Sequence, residues 1–211
     1  MMAGKLILTR HGESEFNAKS LWTGVWDVPL TAKGRRDARL IAAAIKTQQP
    51  SAAYTSKLSR AADTLKIILH DNHWKIPVHA AAALNERDYG ELTGMNKWTV
   101  EKSFGVKQFN KWRRGWNEPV PGGETLKMVY ERVVPYYEAH IRPQLQAGQS
   151  VIITAHGNSL RALMKHLDKD TVHEIEKVEM LFGDIVVYDM TAHGTVSSKH
   201  VTKIETTPSP A

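Results

Sequence analysis

Two short segments set a histidine and a glycine directly after an apolar run. The first is TRHGES, Thr9–Ser14, and the second is TAHGNS, Thr154–Ser159. A neutral imidazole is a good nucleophile near pH 7, because its ordinary pKa lies close by. A phosphoryl group is a demanding target for it. That group is strongly anionic and repels an approaching electron pair, so fixed cations must spread its equatorial charge. Arg10 is one such cation beside His11, and His156 is a second. Arg60, in the run YTSKLSRA (Tyr54–Ala61), is a third. Arginine suits the task because its planar fork bonds phosphate in pairs and keeps its charge. Gly12 and Gly157 would let backbone N–H groups approach the same anion.

These groups can cooperate only if the fold brings both turns together. Lys5–Thr9 (KLILT) and Ser150–Ala155 (SVIITA) read as buried strands, and Ile185–Tyr188 (IVVY) as a late one. Helical patterns cover Thr31–Gln48, with Thr31 as N-cap, and Leu58–Asp71. Glu124–Gln146 carries a 3.6-residue apolar stripe with an expected kink at Pro135. Asn158–Leu167 reads as a helix launched from the second strand. Alternating strands and helices predict an α/β fold: a mostly parallel central sheet with helices on both faces. Ligands of such sheets bind beyond the carboxyl ends of the strands, which is where both His-Gly turns fall. Residues 1–205 read as one domain, with 85–123, rich in Gly, Trp, Arg and Asn, as an inserted lid and substrate region. Residues 206–211 (TTPSPA) read as a disordered tail.

Composition sets wider limits. The 211 residues are 42% hydrophobic and 24% charged, enough for a normal core. The net charge of +6 suits an anionic partner: a phosphorylated metabolite, nucleic acid or a membrane surface. There is no cysteine, which excludes disulfides and thiolate metal sites. The apolar run near the N-terminus is too short for a signal peptide or membrane span, so a cytoplasmic location and no membrane partner are expected. His70, His73 and His79 show no metal-site pattern, and no metal is expected. His166 is expected to cap the helix end near Leu167. Glu13 is a rival to any other carboxylate as a proton donor near His11. A basic nucleic-acid binder is the reading from another class, motivated by the charge and the Trp/Arg-rich stretch around Trp112, but no nucleic-acid motif supports it.

Further segments carry a resemblance. They are LTRHGESEFN (Leu8–Asn17), WTGVWDVPLTAKGR (Trp22–Arg35), YTSKLSRAADT (Tyr54–Thr64), LNERDYGELTGMNK (Leu84–Lys97), WRRGW (Trp112–Trp116), PGGETL (Pro121–Leu126) and AHGNSLRALMKHL (Ala155–Leu167). Together they resemble the histidine phosphatase superfamily, and within it the 2,3-bisphosphoglycerate-dependent phosphoglycerate mutases. The resemblance implies an isomerase of glycolysis and gluconeogenesis that interconverts 2- and 3-phosphoglycerate through a phosphohistidine, primed by 2,3-bisphosphoglycerate. It makes His11 the nucleophile and Glu86 the general acid and base. Arg10, Arg60 and His156 would hold the transferred group. Tyr89, Lys97, Arg113 and Arg114 would bind the rest of the substrate, with Asn17, Thr23, Gly24, Gly157 and Asn158 completing the pocket. A homodimer or other small assembly is implied as well. The sequence departs from the common pattern in three places. Only Gly115–Val120 separate the Arg pair from PGGE, Val25 follows Gly24 where an aromatic is usual, and Met180–Met190 replaces a more proline-rich segment. The short connection favours the alternative, a broad-specificity histidine phosphatase. Gly24 favours the mutase.

Overall fold

The computed structural model describes residues 4–206. The chain forms β1 (Lys5–Arg10), a short α1 (Glu15–Ala18), α2 (Ala32–Ile45), β2 (Ala52–Thr55), α3 (Ser59–Asp71) and β3 (Val78–Ala80). Two 3₁₀ turns, Ala82–Leu84 and Gly90–Leu92, lead to α4 (Lys97–Arg114) and α5 (Leu126–Tyr136). A π-helical turn, Tyr137–Ile141, joins α5 to α6 (Arg142–Gln146). Then come β4 (Val151–Ala155), α7 (Gly157–Asp168), α8 (Val172–Ile175), β5 (Asp184–Met190) and β6 (Val196–Lys203).

The six strands form one sheet in the order β3-β2-β4-β1-β5-β6. The first four in that order run parallel, and β5 and β6 antiparallel to their neighbours. Side chains alternate across the sheet and so feed two cores. Leu6, Leu8, Val151 and Ile153 pack with α5 and α7 on one face, while Ile7 and Ile152 pack with α2 and α3 on the other. The expected α/β architecture is therefore present. β6, with its largely exposed pattern, is an added edge strand that alternation alone did not reveal.

Local signals explain the boundaries. Thr31 caps α2, its hydroxyl accepting from Gly34 N at 3.0 Å. The expected kink at Pro135 takes another form: the helix continues and widens into the π turn two residues later. Proline withholds one N–H from the ladder, and a wide turn is a common accommodation. His166 does not cap its helix. Its Nε2 lies 2.8 Å from Glu138 Oε1, because the side chain points across to the neighbouring helical turn. Of the expected tail, residues 207–211 lie outside the described residues.

Residues 85–123 close over Trp22 in a small third core, made of Trp22, Tyr89, Leu92, Val100, Phe109, Trp112 and Val120. Arg87 is fully buried within this region. Its guanidinium donates to the carbonyls of Trp112, Glu118 and Glu124 at 2.8, 3.1 and 2.6 Å, pinning the end of α4 and the following loop to the stretch after the first 3₁₀ turn.

Candidate active site

Strand register brings the two histidines together. β1 and β4 lie side by side in parallel, with Arg10 opposite Ala155. The next residue on each strand is His11 on one and His156 on the other. Both turns therefore leave the sheet at one level, and the ring centroids stand 4.9 Å apart with an interplanar angle of 58°. Close backbone packing shapes the first turn: a Cβ at Gly12 would fall 2.2 Å from the Gly34 carbonyl oxygen. Only glycine fits there.

His11 is buried, and its Nδ1 lies 2.6 Å from the Gly12 carbonyl oxygen. A carbonyl can only accept, so Nδ1 carries the proton and Nε2 keeps its lone pair. Burial, and then the charges of Arg60 and Arg10, hold the His11 pKa well below its ordinary value. The ring is thus neutral around pH 7 and ready to act as a nucleophile. His156 is likewise held neutral, first by burial and then by Arg60, so it is not the second cation expected from the sequence and can offer an anion only a neutral ring N–H. Its Nε2 sits 2.7 Å from Ser56 Oγ.

Arg60 rises from the first turn of α3 and is almost wholly buried. Its two terminal nitrogens donate to Trp26 O and Gly24 O, each at 2.8 Å. Gly24 adopts φ +54°, and a Cβ there would come 2.9 Å from Thr93 Oγ1, so the tight turn presenting this carbonyl favours glycine. Asp27 locks the same loop by accepting from Ser59 N and Ser59 Oγ at 2.7 and 2.8 Å. Burial lowers the Arg60 pKa to about 10, which leaves it charged at neutral pH. Arg10 keeps part of its surface open to the cleft, donates to Met180 O at 2.9 Å, and lies 4.0 Å over the Phe182 ring. Its pKa is also lowered, chiefly by burial. The Nε atoms of Arg10 and Arg60 and Nδ1 of His156 are buried without a hydrogen-bond partner. Such atoms are rare in folded proteins, and Arg10 and Arg60 both belong to the wall of that cleft.

Glu86 follows the first 3₁₀ turn. Its Oε1 accepts from Arg87 N at 2.8 Å and Asn158 N at 3.2 Å. Its Oε2 is one of the three atoms nearest a Cβ placed on Gly157, the others being Cζ and Nε of Arg10. Absence of a side chain at 157 therefore leaves a carboxylate oxygen and a guanidinium facing the same space. Arg132 fixes this backbone by donating to Asn85 O and Glu86 O, both at 3.0 Å, while forking onto Glu124.

One cleft is lined by Arg10, His11, Arg60, Glu86 and Gly157, and by Asn17, Thr23, Gly24, Tyr89, Lys97, Arg113, Arg114 and Asn158. Every expected site residue except His156 lies on its wall. His156 has no exposed surface and lies against His11. Asn158 donates to Tyr89 Oη at 2.8 Å, and burial raises the Tyr89 pKa. Burial, with Arg10 and Arg113 nearby, lowers Lys97 to about 8. Glu13 is absent from the cleft wall. Its carboxylate accepts from Thr31 Oγ1 at 2.8 Å, which ties it to the start of α2 instead. Among the described residues, no group of three or more His, Cys, Asp or Glu could hold a metal ion.

Sequence reasoning missed Arg161, Ser56 and the segment Val178–Leu181. Arg161 lines the cleft and is nearly buried, donating to Asn158 Oδ1 at 3.0 Å and Ile175 O at 2.7 Å. It lies one turn beyond His-Gly on the strongly amphipathic α7, and that spacing was the available signal. Nothing in the composition of Val178–Leu181 marks it as a cleft wall.

The family model described as the histidine phosphatase superfamily (branch 1) matches residues 6–202. This chain belongs to that superfamily. Within it, a 2,3-bisphosphoglycerate-dependent phosphoglycerate mutase of Cytophaga hutchinsonii is 42% identical, the alignment covering 96% of this chain and 95% of the relative. A protein of the same name from Parvibaculum lavamentivorans is 43% identical, over 95% and 97% of the two chains. Among solved structures, Bacillus stearothermophilus YhfR superposes with a TM-score of 0.81 at 25% identity, covering 96% of this chain and 98% of its own. The histidine phosphatase fold and the paired His-Gly turns thus agree with the family. Among the described residues no helix is long and apolar enough to cross a membrane.

Proposed function

We propose that this histidine phosphatase-superfamily protein is a phosphoglycerate mutase, interconverting 2- and 3-phosphoglycerate through a phosphohistidine on His11. The observation that carries the reading is the pair of imidazoles 4.9 Å apart, flanked by the unpartnered Nε atoms of Arg10 and Arg60. His11 Nε2 attacks phosphorus in line, and the bond from phosphorus to the sugar-acid oxygen breaks. Glu86 gives that oxygen a proton and takes it back when the group returns to a hydroxyl. Arg10, Arg60 and His156 hold the equatorial oxygens. Tyr89, Lys97, Arg113 and Arg114 hold the remaining charged groups, with Asn17, Thr23, Gly24, Gly157 and Asn158 closing the pocket. Segment 85–123 serves as lid and substrate platform.

The unpartnered buried nitrogens and the excess of cations over carboxylates fit a multiply charged anion, the character of 2,3-bisphosphoglycerate. When bound, that compound would supply the phosphoryl group that first loads His11. Retention of the ligand separates a mutase from a phosphatase, because escape leaves the phosphohistidine to water. The names of near-full-length relatives support the mutase. Incubation with 2,3-bisphosphoglycerate should leave acid-labile phosphate on His11, and a coupled assay should show mutase turnover. Hydrolysis of unrelated phosphate esters at comparable rates would assign the protein to the broad-specificity phosphatases instead.

A further inference from the structure

The cleft wall carries six cationic side chains, Arg10, Arg60, Lys97, Arg113, Arg114 and Arg161, against two carboxylates, Glu86 and Glu179. Glu86 has a place in the proposed chemistry. Glu179 does not. It lies on the segment between α8 and β5, and its Oε1 forms an ion pair with Arg114 Nη2. That segment is anchored near the phosphoryl end. Met180 O accepts from Arg10, and Leu181 N donates to Asp184 Oδ2 at 2.7 Å. One stretch of chain thus spans the cleft, meeting Arg10 through a backbone carbonyl and Arg114 through a carboxylate.

We infer that Glu179 is a specificity-determining residue, competing with the ligand's distal anionic group for Arg114 and so weakening multiply charged ligands more than singly phosphorylated ones. A group bound at Arg114 must displace the carboxylate or accept its repulsion. Repulsion grows with the charge that the ligand carries at that end. A second phosphate therefore feels it more strongly than a carboxylate or hydroxyl. The side chains of Arg114 and Glu179 are 30% and 39% exposed, so the pair separates easily and acts as a graded competitor rather than a fixed block. Glu179 would thus keep the bisphosphate from being held so tightly that it cannot reorient or leave. The inference rests on the mutase reading and adds the means by which the distal end discriminates between ligands.

The test is equilibrium binding by calorimetry, in a His11→Asn background that prevents phosphoryl transfer, with 2,3-bisphosphoglycerate and 3-phosphoglycerate as probes. Glu179→Gln should tighten the bisphosphate roughly three- to tenfold and 3-phosphoglycerate by clearly less. The difference should shrink at high salt. Glu179→Asp, which keeps the charge, should behave like the parent. Equal tightening of both probes, or none, overturns the inference. Wild-type enzyme that neither loads phosphate on His11 nor turns over phosphoglycerate sinks the mutase reading itself, a separate failure.

Discussion

The two ends of the cleft are built differently. At the phosphoryl end, His11 and His156 sit immediately past adjacent strands, and each has a ring nitrogen within hydrogen-bond distance of a fixed partner. Arg60 is oriented there by two carbonyls. At the distal end, Lys97, Arg113 and Arg114 all ride on α4, which is interrupted at Gly105 with φ +79°. Arg113 and Arg114 are only half-buried, and Arg114 pairs with a carboxylate from another segment. Groups that must meet a reacting atom are held by sheet register. Groups that retain charge are carried on an irregular helix over a small separate core. A mutase needs both, since the phosphoryl position must stay fixed while the rest of the ligand turns.

Substitutions at the phosphoryl end should strike chemistry. His11→Ala should abolish turnover and labelling by 2,3-bisphosphoglycerate, and surviving turnover would remove His11 from the mechanism. Glu86→Gln should slow phosphoryl transfer roughly 10²–10⁴-fold with little change in affinity. An unchanged single-turnover rate would assign the proton to another group. At the distal end the balance should reverse. Arg113→Ala should raise KM by about tenfold, the scale of one lost charge-assisted contact, while the rate of loading His11 changes less. Loading that falls more than KM rises would place Arg113 at the transferring group.

The pH dependence should divide along the same line. His11 is held well below its ordinary pKa, first by burial and then by Arg60 and Arg10, so protonation of its own ring should not limit loading at neutral pH and above. Lys97 is lowered to about 8. An anionic ligand favours its protonated form, so binding takes up a proton once the free group has lost its own. Affinity should accordingly fall as pH rises through about 8. Lys97→Gln should remove that limb from the KM profile, and its persistence would assign it elsewhere. The smallest expected effect lies outside the cleft. Thr31→Ala removes the α2 cap and should cost about 1 kcal/mol of stability, read by denaturant unfolding, with phosphoryl transfer slowed only if Glu13 and the His11 turn shift with it.

Much of this was legible in the chain. The runs KLILT and SVIITA are strands, Thr31 is a cap, and the expected site residues converge. Short apolar runs and capping residues act over a few positions, so their meaning survives without tertiary context. Glu13 shows the limit of such reading. Adjacency to His11 made it a rival acid, yet the chain turns so that its carboxylate meets Thr31. His166 shows the same limit, because its partner Glu138 is 28 residues away in sequence.

The order of residues alone determined which groups could bear the chemistry: a histidine at each of two strand ends, arginines that keep their charge, and a motif around Glu86 resembling a known family. Those are properties of side-chain type and short spacing. Tertiary structure decided which of them share a cleft, that Arg161 and Glu179 join them, and which buried nitrogens are left for a ligand. Burial, charge proximity and hydrogen-bond geometry depend on distant segments meeting in space, as Arg10 and Met180 do across 170 residues, and no local pattern encodes a distance.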